Sequence, residues 1–248
     1  MKTSIVKNWT AELHEAADPN KIPILSSFFK TGPGEYGEGD TFIGLPVPLN
    51  RKIAAKYFEA PYPSIIEMLD SPIHEHRLSA LIAMTLKYKK SKSAEEKEGI
   101  INMYIDNCHK CNNWDLVDLS APYLLGEEIL HGRHIENLNN LSSSPTLWHR
   151  RIAVVSTLAS VRKNKLDVAL DQCYKHISDS EPLMQKAVGW VLREVGKKDV
   201  DTLRNFLDSH ISQISSTTLS YATERLHPTE RQLYRLQRKH PDKRQSKG

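Results

Sequence analysis

The 248 residues predict an all-α chain, a solenoid of stacked helix pairs, and three observations predict it. Strand signals are nearly absent, with only Phe42-Ile43-Gly44-Leu45 reading as a short extended piece. Apolar residues elsewhere return every three to four positions, the spacing of an amphipathic helix. Pro61, Pro63, Pro72, Pro145, Pro182 and Pro228 punctuate those periodic segments, as suits a residue without an amide proton at a helix's first turn.

In chain order the periodicity predicts helices over about 4–17, 20–30, 48–59, 63–70, 73–90, 94–111, 114–129, 133–142, 145–162, 165–178, 182–196, 199–212 and 216–226. Residues 31–48, rich in Gly and Pro, interrupt the pattern and read as an ordered connection between two helices. Stacking the later segments brings out a repeat. Arg77-Leu78-Ser79-Ala80-Leu81, Trp114-Asp115-Leu116-Val117-Asp118, Arg151-Ile152-Ala153-Val154-Val155 and Lys186-Ala187-Val188-Gly189-Trp190 start 37, 37 and 35 residues apart. Two helices in a unit of that length describe a HEAT-like array, whose units bury their apolar faces only by stacking. One such domain is expected over residues 1–228, without an internal boundary.

The charge belongs mostly to the end of the chain. Residues 225–248 hold eight Lys/Arg against Glu230 and Asp242, leaving 26 basic and 28 acidic residues elsewhere, a net of −2. The overall sign is therefore no argument for nucleic acid. Residues 229–248 are expected to form a mobile basic tail adding sequence-independent attraction to DNA; the alternative is a final capping helix using Leu233, Tyr234 and Leu236. No apolar run approaches the roughly 18 residues of a membrane span, and residues 1–7 carry no leader pattern. Cys108, Cys111 and Cys173 are an odd, sparse set that reads as reduced thiols. A cytoplasmic protein, nucleoid-associated in a prokaryote, is the expectation.

Several motif-like spacings are set aside. Gly32-x-Gly34-x-x-Gly37 follows no strand, contains Pro33 and lies among Glu35, Glu38 and Asp40, so a phosphate loop is not expected. Cys108-His109-Lys110-Cys111 lacks a second pair, and His74-Glu75-His76 lacks the four-residue step that aligns two imidazoles. Both read as ordinary helix residues. Neither a metal nor a cofactor is expected.

Three helices carry anomalies. With Leu116 at the centre of the core stripe that includes Leu119, Ser120, Tyr123 and Leu124, Trp114 projects to about 160° and Asp118 to about 200°. An indole and a carboxylate thus share the arc away from the core. Either a loop covers the indole, or a ligand does. Arg151 projects into an apolar stripe with Leu147, Trp148, Val154, Val155 and Leu158, where an unpaired charge costs several kcal/mol. Asp118 on the neighbouring repeat is its natural partner, as a structural bridge or as part of a site. Trp190 lies between the apolar arc and Lys186 and Arg193, projected near 320° and 300°. It either packs there or, beside those cations, suits a nucleic-acid backbone.

Asn113-Trp-Asp-Leu-Val-Asp118, Leu147-Trp-His-Arg-Arg-Ile-Ala153 and Gln185-Lys-Ala-Val-Gly-Trp-Val-Leu-Arg-Glu194 resemble signature segments of the AlkD-type DNA alkylation repair glycosylases. Phe28-Phe-Lys-Thr-Gly-Pro-Gly-Glu-Tyr-Gly-Glu-Gly-Asp40 and His74-Glu-His-Arg77 resemble variants within that family, and the match runs in order from about residue 20 to 226. The resemblance implies HEAT-like repeats with a concave DNA-binding face and release of N3- and N7-alkylated purines from duplex DNA by a monomer. Asp118, Trp114, Arg151 and Trp190 take the catalytic places, with Phe28, Lys30, Arg150, Lys186 and Arg193 as DNA contacts. Phe28 stands where some members have a Tyr, which keeps an aromatic surface but no hydroxyl. The resemblance also implies work on a shallow face, without a deep base pocket. A non-catalytic HEAT-repeat protein that binds damaged or distorted DNA is the alternative.

Overall fold

The computed structural model describes residues 4–239. Among them every regular element is helical, and extended pairing is confined to an isolated parallel bridge between Thr41 and Ile73. Residues up to Leu124 form one compact unit and those from Leu125 a second, where the sequence pattern suggested no boundary. No helix among the described residues is long and apolar enough to cross a membrane.

The first unit contains α1 (Ser4–Glu15), α2 (Ile22–Phe28), α3 (Val47–Ala54), α4 (Tyr62–Leu69), α5 (His74–Lys90), α6 (Ala94–Asn107) and α7 (Trp114–Ser120). Its centre is α5, buried without a break from His74 to Met84 and packed by α3, α4, α6 and α7. From α1, the fully buried Trp9 donates its indole N–H to Ser79 Oγ at 2.8 Å. Glu75 anchors the segment between α2 and α3. Its carboxylate accepts the backbone N–H groups of Ile43, Gly44 and Leu45 at 2.9–3.1 Å. Gly44 has φ +88°, and a Cβ there would lie 2.0 Å from the Asp18 carbonyl oxygen, so the clamp requires glycine.

The second unit contains α8 (Leu125–Leu130), α9 (Ile135–Ser142), α10 (Leu147–Ser156), α11 (Leu158–Arg162), α12 (Asp167–Lys175), α13 (Pro182–Lys198), α14 (Val200–His210), α15 (Ser216–Ala222) and α16 (Pro228–Lys239). Its centre is α13, which buries Met184, Ala187, Val188, Val191, Leu192 and Val195 and meets α10, α11, α12, α14 and α15. All of these but Leu192 lie on the apolar arc that the projection around Trp190 gives, and Leu183, also on that arc, is half-buried.

Two expected helices are broken. The segment 114–129 is α7, a 3₁₀ turn over Ala121–Tyr123 and α8. Pro122 has no N–H to continue the ladder, and the Ser120 hydroxyl bonds back to the Leu116 carbonyl at 2.6 Å. The phase is lost at that point, so Tyr123, expected in the core stripe, is exposed. The segment 145–162 is α10 and α11, parted at Thr157, whose hydroxyl bonds to the Val154 carbonyl at 2.7 Å.

The helix caps correct the repeat register. Ser71 Oγ accepts the Ile73 N–H at 3.2 Å and meets His76 Nδ1 at 2.9 Å, while Arg77 donates to the Ser71 carbonyl at 2.8 Å. Ser144 does the same with Thr146 at 3.2 Å and His149 at 3.0 Å, and Arg150 donates to its carbonyl at 3.2 Å. The two Ser-Pro caps are 73 residues apart. Arg77 therefore matches Arg150, one residue from the alignment with Arg151 that the apolar pattern favours.

The tail expected to be mobile from residue 229 is helical through Lys239. Tyr234 on α16 is buried, Glu230 holds Arg204 at 2.7 Å, and Arg238 donates to the Ile214 carbonyl at 2.7 Å. Leu233 and Leu236, the other residues considered for a capping helix, stay exposed. Residues 240–248 of the expected tail lie outside the described residues.

Candidate functional site

In the first unit the site is built on α7. Asn113 caps this helix, its buried side chain accepting the Trp114 N–H at 2.8 Å. Asp115 supplies an acid in the first turn, where the helix dipole favours it, and its Oδ1 accepts the Leu116 N–H at 2.8 Å. Trp114 and Asp118 stand four residues apart, hence on one face, and both are half-buried. The Trp114 indole donates to the Tyr36 hydroxyl at 3.2 Å and stacks on Phe29 at 5.3 Å. Phe28 meets it edge-on at 5.7 Å and is itself 59 % exposed. The loop after α2 thus covers part of the indole and leaves an open aromatic corner. Lys30, beside that corner, is exposed with φ +57°, its Nζ 3.9 Å from a Glu35 carboxylate oxygen.

Beneath the aromatic corner lies a buried charge cluster that sequence reasoning missed. Phe29 stacks on Phe42 at 5.3 Å, and both rings lie against His74 at 5.0 and 4.7 Å. The imidazole is held at both nitrogens, Nδ1 by Asp40 at 3.0 Å and Nε2 by Asp115 at 2.8 Å. Arg77 donates to the other Asp40 oxygen at 2.6 Å, and the Asn112 amide joins it at 2.7 Å. Burial alone lowers the His74 pKa, but the hydrogen bonds and charges of Asp115 and Asp40 outweigh it and raise it to about 9. For Asp40, burial opposes the charged form, yet the His74 hydrogen bond and the Arg77 guanidinium hold the carboxyl below its usual range. His74, set aside as an ordinary helix residue, and Arg77 are thus the cations of a buried network. The legible signal is a polar run directly after Ser71-Pro72, in the slot that Ser144-Pro145 and His149-Arg150 fill one double repeat later.

The second unit carries the remaining expected residues. Arg151 is buried on α10 and donates to the Leu183 carbonyl of α13 at 2.6 Å. Trp190 is half-buried and lines a pocket of about 460 Å³ with Leu158, Val161, Arg162, Glu194, Lys197 and Lys198; the cations of that pocket are Arg162, Lys197 and Lys198 rather than the Lys186 and Arg193 of the projection. Lys186 is exposed. Arg150 and Arg193, expected on a DNA backbone, are held by carboxylates: Arg150 by Asp179 at 2.8 Å, Arg193 by Glu224 and by Glu194 at 3.4 Å. Arg150 also donates to the Pro145 carbonyl at 2.7 Å, so it closes the α10 cap. The thiols offer no ready nucleophile: all three are buried, and burial pushes Cys108 up to about 11 and Cys111 to about 12.

A family model described as "DNA alkylation repair enzyme" matches residues 9–226. A solved structure described as a predicted DNA alkylation repair enzyme from Enterococcus faecalis is 17 % identical, with a TM-score of 0.64 over 86 % of this chain and 97 % of that one. At that identity it speaks for the fold alone, an all-α one. No curated protein matches the chain. The family match spans both compact units and every expected site residue, and by it the chain belongs to the DNA alkylation repair enzyme family.

Proposed function

We propose that this chain is a DNA glycosylase that hydrolyses the N-glycosidic bond of cationic N3- and N7-alkylated purines in duplex DNA. Membership of a DNA alkylation repair family supports the repair role. The observation that carries the finer reading is α7: Trp114, fixed by Phe29 and Tyr36, stands one turn before a half-buried Asp118 on the same face.

An alkylated N3 or N7 gives the purine a positive charge, so the base is already a good leaving group. Catalysis then consists of stabilising the cationic sugar that remains. In this reading the Asp118 carboxylate faces C1′ and orients the attacking water. The Trp114 face holds the sugar cation by attraction to its π-cloud, about 0.5–2 kcal/mol, and Trp190 in the second unit offers a face of the same kind. Arg151, buried on α10 and bonded to the Leu183 carbonyl, is the cation of the proposed set. Phe28, Lys30 and Lys186, all exposed, take sugar and phosphate contacts. Arg150 and Arg193 are held by carboxylates and reach a phosphate in this reading only by exchanging those partners. Loss of the hydrogen-bonding hydroxyl at Phe28 leaves a surface for stacking only.

The test is incubation of the protein with a duplex carrying N7-methylguanine, followed by separation of free base from DNA. Release of 7-methylguanine, leaving an abasic site, is the expected result. Retention of the damaged duplex without release supports the alternative, a binding-only protein.

A further inference from the structure

Asp118 and Trp114 explain chemistry at the surface, but not why two carboxylates, an imidazole and a guanidinium are buried beneath them. Four separate segments converge there. Asp40 comes from the loop between α2 and α3, His74 and Arg77 from the start of α5, Asn112 from the turn before α7, and Asp115 from the first turn of α7. His74 is 1 % exposed. The charged groups facing it are Asp40 and Asp115; Arg77 reaches it only through Asp40, and Glu75 turns the other way, to the amides of residues 43–45. The rings of Phe29 and Phe42 close its two faces.

We propose that His74 is a positioning residue for the Trp114–Asp118 face: clamped between Asp40 and Asp115, it ties the loop after α2 to the first turn of α7 and thereby sets the plane of the Trp114 indole. Two paths connect the imidazole to that indole. One runs through the hydrogen bond to Asp115, the chain neighbour of Trp114, which carries His74 on one carboxylate oxygen and the Leu116 amide on the other. The other is stacking, from His74 to Phe29 to Trp114 at 5.0 and 5.3 Å. Only the doubly protonated ring donates to both carboxylates at once. A neutral ring must release one of them, leaving one buried carboxylate oxygen without its donor, which costs more than the hydrogen bond it replaces. The clamp therefore opens when His74 loses its proton, on the alkaline side of neutrality. Its role in base release rests on the glycosylase reading above; its effect on Trp114 does not.

The experiment labels the full chain with 5-fluorotryptophan and follows the ¹⁹F resonances of its four tryptophans from about pH 6 to 10.5. Trp114→Phe assigns the signal of interest. The clamp predicts that this resonance titrates with a midpoint near 9, and that His74→Gln abolishes the titration. Tyr36→Phe preserves it, which rules out the phenol touching the indole as its source. On N7-methylguanine duplex, His74→Gln lowers the saturated release rate by about 10- to 100-fold with a smaller change in affinity, as expected when a reacting group is misplaced. The wild-type titration needs no variant, so a His74→Gln protein that fails to fold leaves the test intact. A Trp114 signal that is flat over the whole range, or that titrates identically in His74→Gln, overturns the clamp. Titration as predicted in a protein that releases no base supports the clamp and overturns the glycosylase reading; base release with a flat signal does the reverse.

Discussion

Arg151 is 5 % exposed, among Ile152, Val154 and Val155, with a guanidinium nitrogen 2.6 Å from the Leu183 carbonyl oxygen. Cutting it back to alanine opens the apolar stripe and leaves its partners without their donor. Losing one member of a buried charged arrangement costs about 3–5 kcal/mol. Arg151→Ala is therefore expected to lower the free energy of unfolding by that order and to slow base release together; urea unfolding beside a release assay checks both. A variant with unchanged stability and rate contradicts the role proposed for Arg151. His74 makes a second prediction with a defined sign. Its pKa is raised from 6.5 to about 9 on folding, so the folded state binds the proton more tightly. The stability this supplies is complete below about pH 6.5 and disappears as pH rises through about 9, on the order of 3 kcal/mol in all. Unfolding free energies at pH 7 and pH 10 should differ in the wild type by an amount that His74→Gln lacks. At this scale Trp114, Asp118, Arg151 and Trp190 stand out in the sequence as candidates because each departs from its helix's period. His74, Asp40 and Asp115 were not. Their partnership spans 34 and 41 residues and rests on loop geometry that periodicity does not encode.

Elements pack here under local rules that the period shows only in part. Gly189 on α13 is one case. Replacing a mid-helix glycine with alanine ordinarily stabilises a helix by about 1 kcal/mol, but a Cβ at this position would lie 2.5 Å from Tyr221 Cβ and 2.7 Å from the Thr218 carbonyl oxygen of α15. Backbone does not yield cheaply, and overpacking of this kind costs about 1–3 kcal/mol. Packing wins, so Gly189→Ala should lower the melting temperature; a rise would mean that the two helices separate freely. The last helix makes the complementary case. Tyr234 is the residue that α16 buries, and Tyr234→Ala should cost roughly 3 kcal/mol, the scale of removing a buried aromatic. A freely moving tail would show no change. Most helices fall where apolar spacing and proline place them. The breaks at Ala121 and Thr157 and the docking of α16 depend instead on hydroxyls turned back to carbonyls, one proline and one tyrosine.

For the whole molecule, the all-α architecture follows from helix-forming periodicity and the scarcity of strand signals, both visible in the sequence. The division into two compact units at Leu124 is not. The apolar period continues across that point, and what changes there is helix phase, lost through the turn at Ala121–Tyr123. The family match over residues 9–226 spans both units. Asp118 is where that proposal is most exposed to test. Under single-turnover conditions, wild-type protein and Asp118→Asn are compared on one N7-methylguanine duplex, with release of free base and duplex affinity both measured. Removing a preorganised electrostatic group commonly costs 10²–10³ in rate, about 2.7–4 kcal/mol. A loss of that size is expected in Asp118→Asn, with affinity unchanged or higher because a negative charge opposing the phosphates is gone. Release at more than about a third of the wild-type rate would contradict it.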